Sequence, residues 1–229
     1  MLREGMQKLI WLLDPQSDRG FFESGSFPWI SRIEANWRTI RAELDVVLAE
    51  RSRIPNFQDL SEDQKVLTKG EEWKAFVLYV YGHQAEQNCA RCPETARLLR
   101  GIPGMKTGMF SILAPGKHIP EHCGPYKGVL RYHLGLLVPT DGRCRIRVKD
   151  EIRSWEDGKS LVFDDSHAHE VWNDSESQRV VLFVDFVRPL MFPLSILNRI
   201  MIWRMSGRPF ITEIVARARA FGQRALPSE

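Results

Sequence analysis

Between Met105 and Val187 the chain breaks into short runs of β-branched and aromatic residues, and this rhythm constrains its fold more than any other feature. Gly108–Leu113, Val129–Val138, Arg143–Val148, Ser160–Phe163, His169–Trp172 and Arg179–Val187 each have the length and composition of a strand. Pro115-Gly116, Asp141-Gly142, Asp157-Gly158 and Asn173-Asp174 punctuate them, residue pairs that favour turns. Short strands at this spacing predict an antiparallel sandwich or barrel, of which the jelly roll is one form.

The flanks read differently. From Ser31 onward Ile33, Trp37, Ile40, Leu44, Val47 and Leu48 recur at helical steps, with Ser31 as N-cap and Glu34 at the capping-box position. The first thirty residues read as irregular, with Pro15, Gly20, Gly25 and Pro28 among aromatics. Arg53–Gly70 reads as a loop, Trp73–Tyr81 as strand-like, and Pro93–Leu99 as a short helix closed by Gly101 and Pro103. Leu194–Gly222 returns to helical spacing. The expected organisation is one structural domain in three parts: 1–104 helical or irregular and packed on the core, 105–190 the core itself, and 191–229 a helical segment.

Composition narrows the function classes. A formal charge of +3 over 229 residues, without clustering, argues against a nucleic-acid partner. No stretch approaches the roughly 18 uninterrupted apolar residues of a membrane span. The opening Met1-Leu2-Arg3-Glu4 lacks the pattern of a secretory signal, so the expected location is cytoplasmic, with Cys89, Cys92, Cys123 and Cys144 reduced. Cys89-Ala90-Arg91-Cys92 is a CxxC, but one such pair cannot complete a four-ligand zinc set, and it reads as reduced thiols in a loop.

Two histidines carry the chemistry. His122 ends the run His118-Ile119-Pro120-Glu121-His122, and His169 ends Asp164-Asp165-Ser166-His167-Ala168-His169; Arg179 follows ten residues later. Imidazole suits a non-haem iron with open positions, and a guanidinium matches a carboxylate. His118 and His167 read as loop histidines and Asp164 as a turn residue. Arg131 and His133 lie two apart on one strand, so they share a face, with Leu130, Tyr132 and Leu134 on the other. A polar pair turned into a small barrel is costly unless it binds something, which favours a charged ligand; the alternative is a structural pair lining the barrel.

Phe110–Pro189 resembles the aspartyl/asparaginyl β-hydroxylase family of iron(II)- and 2-oxoglutarate-dependent oxygenases. The matching stretches are Ser111-Ile112-Leu113-Ala114-Pro115-Gly116, Leu130–Leu136, Trp155-Glu156-Asp157-Gly158-Lys159, Phe163–Ser166, His169-Glu170-Val171-Trp172, and Arg179 leading into Phe183-Val184-Asp185. The resemblance implies a mainly β fold, a double-stranded β-helix of jelly-roll or cupin-like type, with helical flanks. It implies His122 and His169 as ligands of Fe(2+) and Arg179 as the contact to the distal carboxylate of 2-oxoglutarate. It places Ser111, Arg131 and His133 around the carboxylate next to the keto group, and Asp165 near metal-bound water. Most such sites add an acid two residues after the first histidine; here that residue is Gly124, which cannot coordinate.

The implied reaction consumes O2 and 2-oxoglutarate and hydroxylates an unactivated carbon. The family name points to the β-carbon of an aspartyl or asparaginyl group, in a peptide or an amino acid. A second branch hydroxylates acyl chains of lipid A or ornithine lipids at C2, and a binding barrel without turnover is a third reading. Gly124 and His169–Trp172 resemble the first branch. Tyr81-Gly82, Cys92-Pro93 and Arg188-Pro189 resemble the second, and Met109 replaces the lysine that contacts the substrate carboxylate in the first. Residues 192–208 mix Phe192, Ile196, Ile200 and Trp203 with Arg199, Arg204 and Arg208. Such a basic amphipathic stretch either lies peripherally on an anionic inner-membrane surface or packs on the barrel with solvated arginines.

Overall fold

The computed structural model describes residues 2–60, 72–207 and 214–218. The chain opens with helix α1 (Leu2–Leu13), where irregular structure was expected. Met6 and Ile10, one turn apart, are both buried, and Pro15, Gly20, Gly25 and Pro28 come only after the helix has ended. A short strand β1 (Phe21–Phe22) follows, then α2 (Ile30–Ala35) and α3 (Trp37–Leu48), two helices in place of the single run expected. Asn36 makes the break: its side-chain amide donates to the Arg32 carbonyl, competing with the helix ladder. Ser31 does not cap α2, which already starts at Ile30; its hydroxyl donates to the Pro28 carbonyl. Part of the expected loop forms α4 (Phe57–Leu60), while residues 61–70 lie outside the described residues.

Next come β2 (Trp73–Val80), β3 (His83–Gln84), α5 (Glu86–Arg91) and α6 (Pro93–Arg100). Pro93 stands in the first turn of α6, where its missing N–H costs nothing. The cap comes from α3: the Glu43 carboxylate accepts from the backbone N–H groups of Glu94 and Thr95, both at 2.8 Å. Cys89 lies in α5 and Cys92 is the single residue joining α5 to α6; both are buried in the core and not in an open loop. Burial pushes the Cys92 thiol up to about 12, a protonated and unreactive state.

The strand region is β4 (Met105–Leu113), β5 (His118–His122), β6 (Val129–Leu137), β7 (Cys144–Val148), β8 (Glu151–Ser154), β9 (Ser160–Phe163), β10 (His169–Asn173) and β11 (Arg179–Val187). Helix α7 (Leu194–Ser206) closes it; residues 214–218 are helical, and the remainder of the expected C-terminal helix lies outside the described residues. Strands β5 and β8 carry no apolar run and are the two edges of their sheet. An edge tolerates Pro120 in β5 and charged residues in β8.

Two antiparallel sheets result, one ordered β1-β9-β6-β11-β4-β2-β3 and the other β5-β10-β7-β8. The architecture is cupin-like, with helices flanking two facing sheets. Strands from before residue 105 belong to the larger sheet, so the 105–190 segment does not hold the whole of it. That sheet is buried on both faces. Phe110, Leu130, Tyr132, Leu134, Val180 and Leu182 pack outward against Ile40, Leu44 and Leu99 of the helices. Met109, Leu113, Val181 and Phe183 pack inward against Ile119, Ile146, Val148 and Val171 of the smaller sheet. Period-two alternation therefore turns Ser111, Arg131, His133, Arg179 and Asp185 into the space between the sheets.

Candidate active site

His122 of β5 and His169 of β10 are direct cross-strand partners, so their side chains stand on one face. The ring centroids are 4.1 Å apart. Each imidazole directs Nδ1 to a carbonyl oxygen two residues back: His122 to Pro120 at 2.8 Å, His169 to His167 at 3.0 Å. A carbonyl can only accept, so Nδ1 carries the proton and Nε2 presents a lone pair. Burial lowers both pKa values, that of His169 to about 3, which keeps the rings neutral and able to ligate.

No group of three or more His, Cys, Asp and Glu side chains is arranged around a metal position among the described residues. Gly124 explains the missing third ligand physically. Its N–H donates to the Asp165 carbonyl at 2.6 Å, and a Cβ built on it would overlap the Asp165 carboxylate. Asp165 thus occupies the space where a residue-124 side chain would begin. Its nearest cation is Arg131, whose Nη2 lies 2.8 Å from Oδ2, yet neither carboxylate oxygen accepts a well-directed hydrogen bond. Burial pushes the Asp165 carboxyl up to about 7 although Arg131 pulls the other way.

Arg131 also donates from Nε to Asp185 at 2.9 Å and lies over the Phe183 ring. His133, its neighbour on the same face, is enclosed by Phe163, Phe183 and Trp155. The Trp155 indole donates to His133 Nδ1 at 3.3 Å, so the ring's proton sits on Nε2, which has no partner. Burial first, then Arg179 and Arg131, hold His133 well below the usual imidazole value and leave it neutral.

Arg179 is 2% exposed and lies over the Trp155 ring, with Nε and Nη1 both without partners. Ser111 stands two places from Leu113, the residue directly opposite Arg179, and its Oγ accepts from the Trp73 indole at 3.0 Å. A buried guanidinium and a buried imidazole N–H, both unsatisfied, form a cradle that lacks only acceptors. Two imidazole lone pairs and a donor-lined pocket fit a metal ion with an acidic chelate.

The structure thus brings together His122, His169, Asp165, Arg131, His133, Ser111 and Arg179 between the sheets. It differs from expectation in the flanking residues. His118 belongs to β5 and not to a loop, and its Nε2 pairs with Glu170 at 2.7 Å. Asp164 is a turn residue, accepting from the Ser166 N–H, but also a fully buried ion between Lys127 and Arg188. Trp155 and Asp185, which orient His133 and Arg131, escaped notice although both lie in motifs matched above. Asp185 has the same parity as Arg179 on β11, and alternation alone would have turned it inward.

Two imidazoles with free Nε2 lone pairs beside unpaired cationic and N–H donors, set between two sheets, suit a metal that binds together with an acidic co-substrate. The family model for aspartyl/asparaginyl β-hydroxylases matches residues 34–189, and the chain belongs to that family. It is 44% identical over 218 residues to an ornithine lipid ester-linked acyl 2-hydroxylase of Rhizobium tropici, covering 90% of this chain and 78% of that one. It is 38% identical over 176 residues to the human aspartyl/asparaginyl β-hydroxylase, covering 75% of this chain and 22% of that protein's length. Among solved structures it is similar to the cupin domain of an Enterobacter cloacae transcriptional regulator, at 14% identity and a TM-score of 0.35, over 52% of this chain and 99% of that one. The chain is a hydroxylase-family enzyme, and membership implies dependence on iron(II) and 2-oxoglutarate.

Proposed function

We propose that this chain hydroxylates C2 of a lipid-linked acyl chain, reversing the order of the two substrate readings drawn from the sequence. The observation that carries this is the near full-length similarity to the Rhizobium tropici acyl 2-hydroxylase. Two features of the pocket support it. Met109, in place of the lysine, is buried beside Val77 and Phe183 and offers an apolar wall to an acyl chain. Arg131, the cation that could replace that lysine, is already shared between Asp165 and Asp185, so a substrate carboxylate would have to compete with both.

In this reading His122 and His169 hold the iron through Nε2, and their carbonyl-bonded Nδ1 atoms fix the ring orientation. Arg179 takes the distal carboxylate of 2-oxoglutarate, and His133 Nε2 and Ser111 receive the end next to the keto group; Arg131, held by Asp165 and Asp185, adds positive charge beside that end without giving up either partner. When bound, the iron couples O2 activation to decarboxylation of 2-oxoglutarate and so supplies the oxidising power. The aromatic wall of Trp155, Phe163 and Phe183 keeps water from the reacting carbon. Asp165, with its carboxyl raised to about 7, is placed to hold or release a proton beside the imidazoles.

The test is succinate release in air from iron-loaded protein, given either an ornithine lipid or an aspartyl peptide. A lipid product one oxygen heavier, with succinate in equal amount, is the expected result. Turnover of the peptide with the lipid inert would return the site to the aspartyl reading.

A further inference from the structure

Helix α7 is apolar on both sides. Leu194, Ile202 and Met205 are buried against Met6, Ile10 and Tyr126, while Ile196, Leu197, Ile200 and Trp203 on the opposite side face outward. A helix with apolar residues on two sides belongs in a core or in lipid, and here the outer side is exposed among the described residues. Helix α1 packs beside it and repeats the pattern: Leu12 is 80% exposed and Trp203 of α7 74%. Leu2 and Leu9 of α1 and Leu197 and Ile200 of α7 line one open cleft between the helices, and exposed apolar surface gathered in this way marks an interaction site. Arg3, Lys8, Arg199 and Arg204 are exposed around it, against the single acid Glu4 in the two helices.

We propose that α1 and α7 together form a docking face for an anionic bilayer, from which the acyl substrate is drawn. The choice of occupant rests on the lipid reading of the site. Apolar side chains ringed by cations suit a surface that is oily within and negative at its head groups. Position supports the same occupant, because both helices are tied to the segments that carry the imidazoles. Asn198 of α7 accepts from the Tyr126 hydroxyl at 2.7 Å and donates to the Gly128 carbonyl at 2.8 Å, just beyond His122 and Gly124. Arg188 bridges Asp14, at the end of α1, to Asp164, beside Asp165. Trp11 meets the His167 ring edge-on, two residues before His169. A bilayer under α1 and α7 would therefore bear on the segments that carry both imidazoles.

Vesicle co-sedimentation of the full chain tests this, with phosphatidylcholine alone and with added phosphatidylglycerol. Wild type is expected to pellet with the anionic vesicles and weakly with the neutral ones. The exposed-site double variant L12D/W203D is expected to lower the bound fraction about tenfold or more, since two large apolar groups no longer insert. A second variant, R199Q/R204Q, is expected to keep its fold and lose the preference for phosphatidylglycerol. Both should turn over detergent-dispersed acyl substrate as wild type does, with L12D/W203D slowed on vesicles alone. Wild type that stays in the supernatant, or L12D/W203D that pellets as wild type does, overturns the proposal. So does a wild-type dimer, dispersed by L12D/W203D, that ignores vesicles, because the face would then belong to a second copy. Vesicle binding lost in the variants of an enzyme that hydroxylates peptides and not lipids supports the docking face while removing the lipid reading of the site.

Discussion

In the proposed reading, His122 and His169 owe their ability to ligate to two carbonyl oxygens, which hold the Nδ1 protons and leave the lone pairs on Nε2. Replacing either with Ala is expected to abolish iron-dependent succinate release; titration of the apo protein with cobalt(II), followed by its visible bands, reads the site without turnover. Retained cobalt affinity in His122→Ala would remove that residue from the metal. Arg179 makes a sharper case. Its buried guanidinium has two N–H groups without partners, and burial draws its pKa down. An unpaired buried charge costs stability, and is kept where a ligand will answer it. Arg179→Met should therefore raise the stability of the ligand-free protein by about 1–3 kcal/mol. The same change should weaken 2-oxoglutarate binding roughly 10- to 100-fold, as expected for losing a charge-assisted contact. Equilibrium denaturation and co-substrate titration give the two numbers; losses in both would mean a structural arginine.

At the scale of elements, the turn between β9 and β10 does the positioning. Gly124 admits this turn because it has no Cβ to meet Asp165. Gly124→Ala is expected to cost about 1–3 kcal/mol by overpacking. The companion change Asp165→Gly should recover most of that loss in the double variant, as a double-mutant cycle would record. Independent, additive costs would show that the two residues do not share that space. The neighbouring Asp164 is pushed up by burial, but Arg188 and Lys127 outweigh this and hold its carboxyl below the ordinary value. A depressed folded pKa means the ionised form stabilises the fold. That contribution is present above the unfolded carboxyl's range and lost as pH falls through the folded pKa. Asp164→Asn, which strands buried Lys127 and leaves Arg188 with Asp14 alone, is expected to cost about 3–5 kcal/mol near neutral pH. Its denaturation midpoint should fall less than that of wild type on acidification below pH ~4. A midpoint that keeps the wild-type acid slope would place the pH sensitivity elsewhere.

Across the whole molecule, the pocket's unpartnered donors predict that iron(II) with 2-oxoglutarate, added without oxygen, stabilises the protein more than iron alone. At one hundred times the dissociation constant the gain is about 2.7 kcal/mol, a rise in melting temperature of roughly 5–10 °C for a chain of this size. An unchanged melting temperature would leave those donors without their ligand. How much of this was legible beforehand follows from the range of each cause. Alternation along β6 is local, set by where a Cβ points, so Arg131 and His133 could be placed on a shared face from sequence, whereas Ser111 and Arg179 came only through the motifs that carry the family resemblance. Turn dipeptides and the spaced motifs around His122 and His169 are local too. The edge strands β5 and β8 were not legible, because what makes them strands is a partner across the sheet and not their own apolar content. Nor was the commitment of Arg131 to Asp165 and Asp185, since charges distant in sequence meet only when the sheets close. For α7 the sequence determined the apolar residues, but which side chains face protein and which face outward was decided by packing on α1 and Tyr126. Backbone geometry fixes side-chain direction residue by residue, whereas burial and charge pairing depend on what the rest of the chain brings alongside.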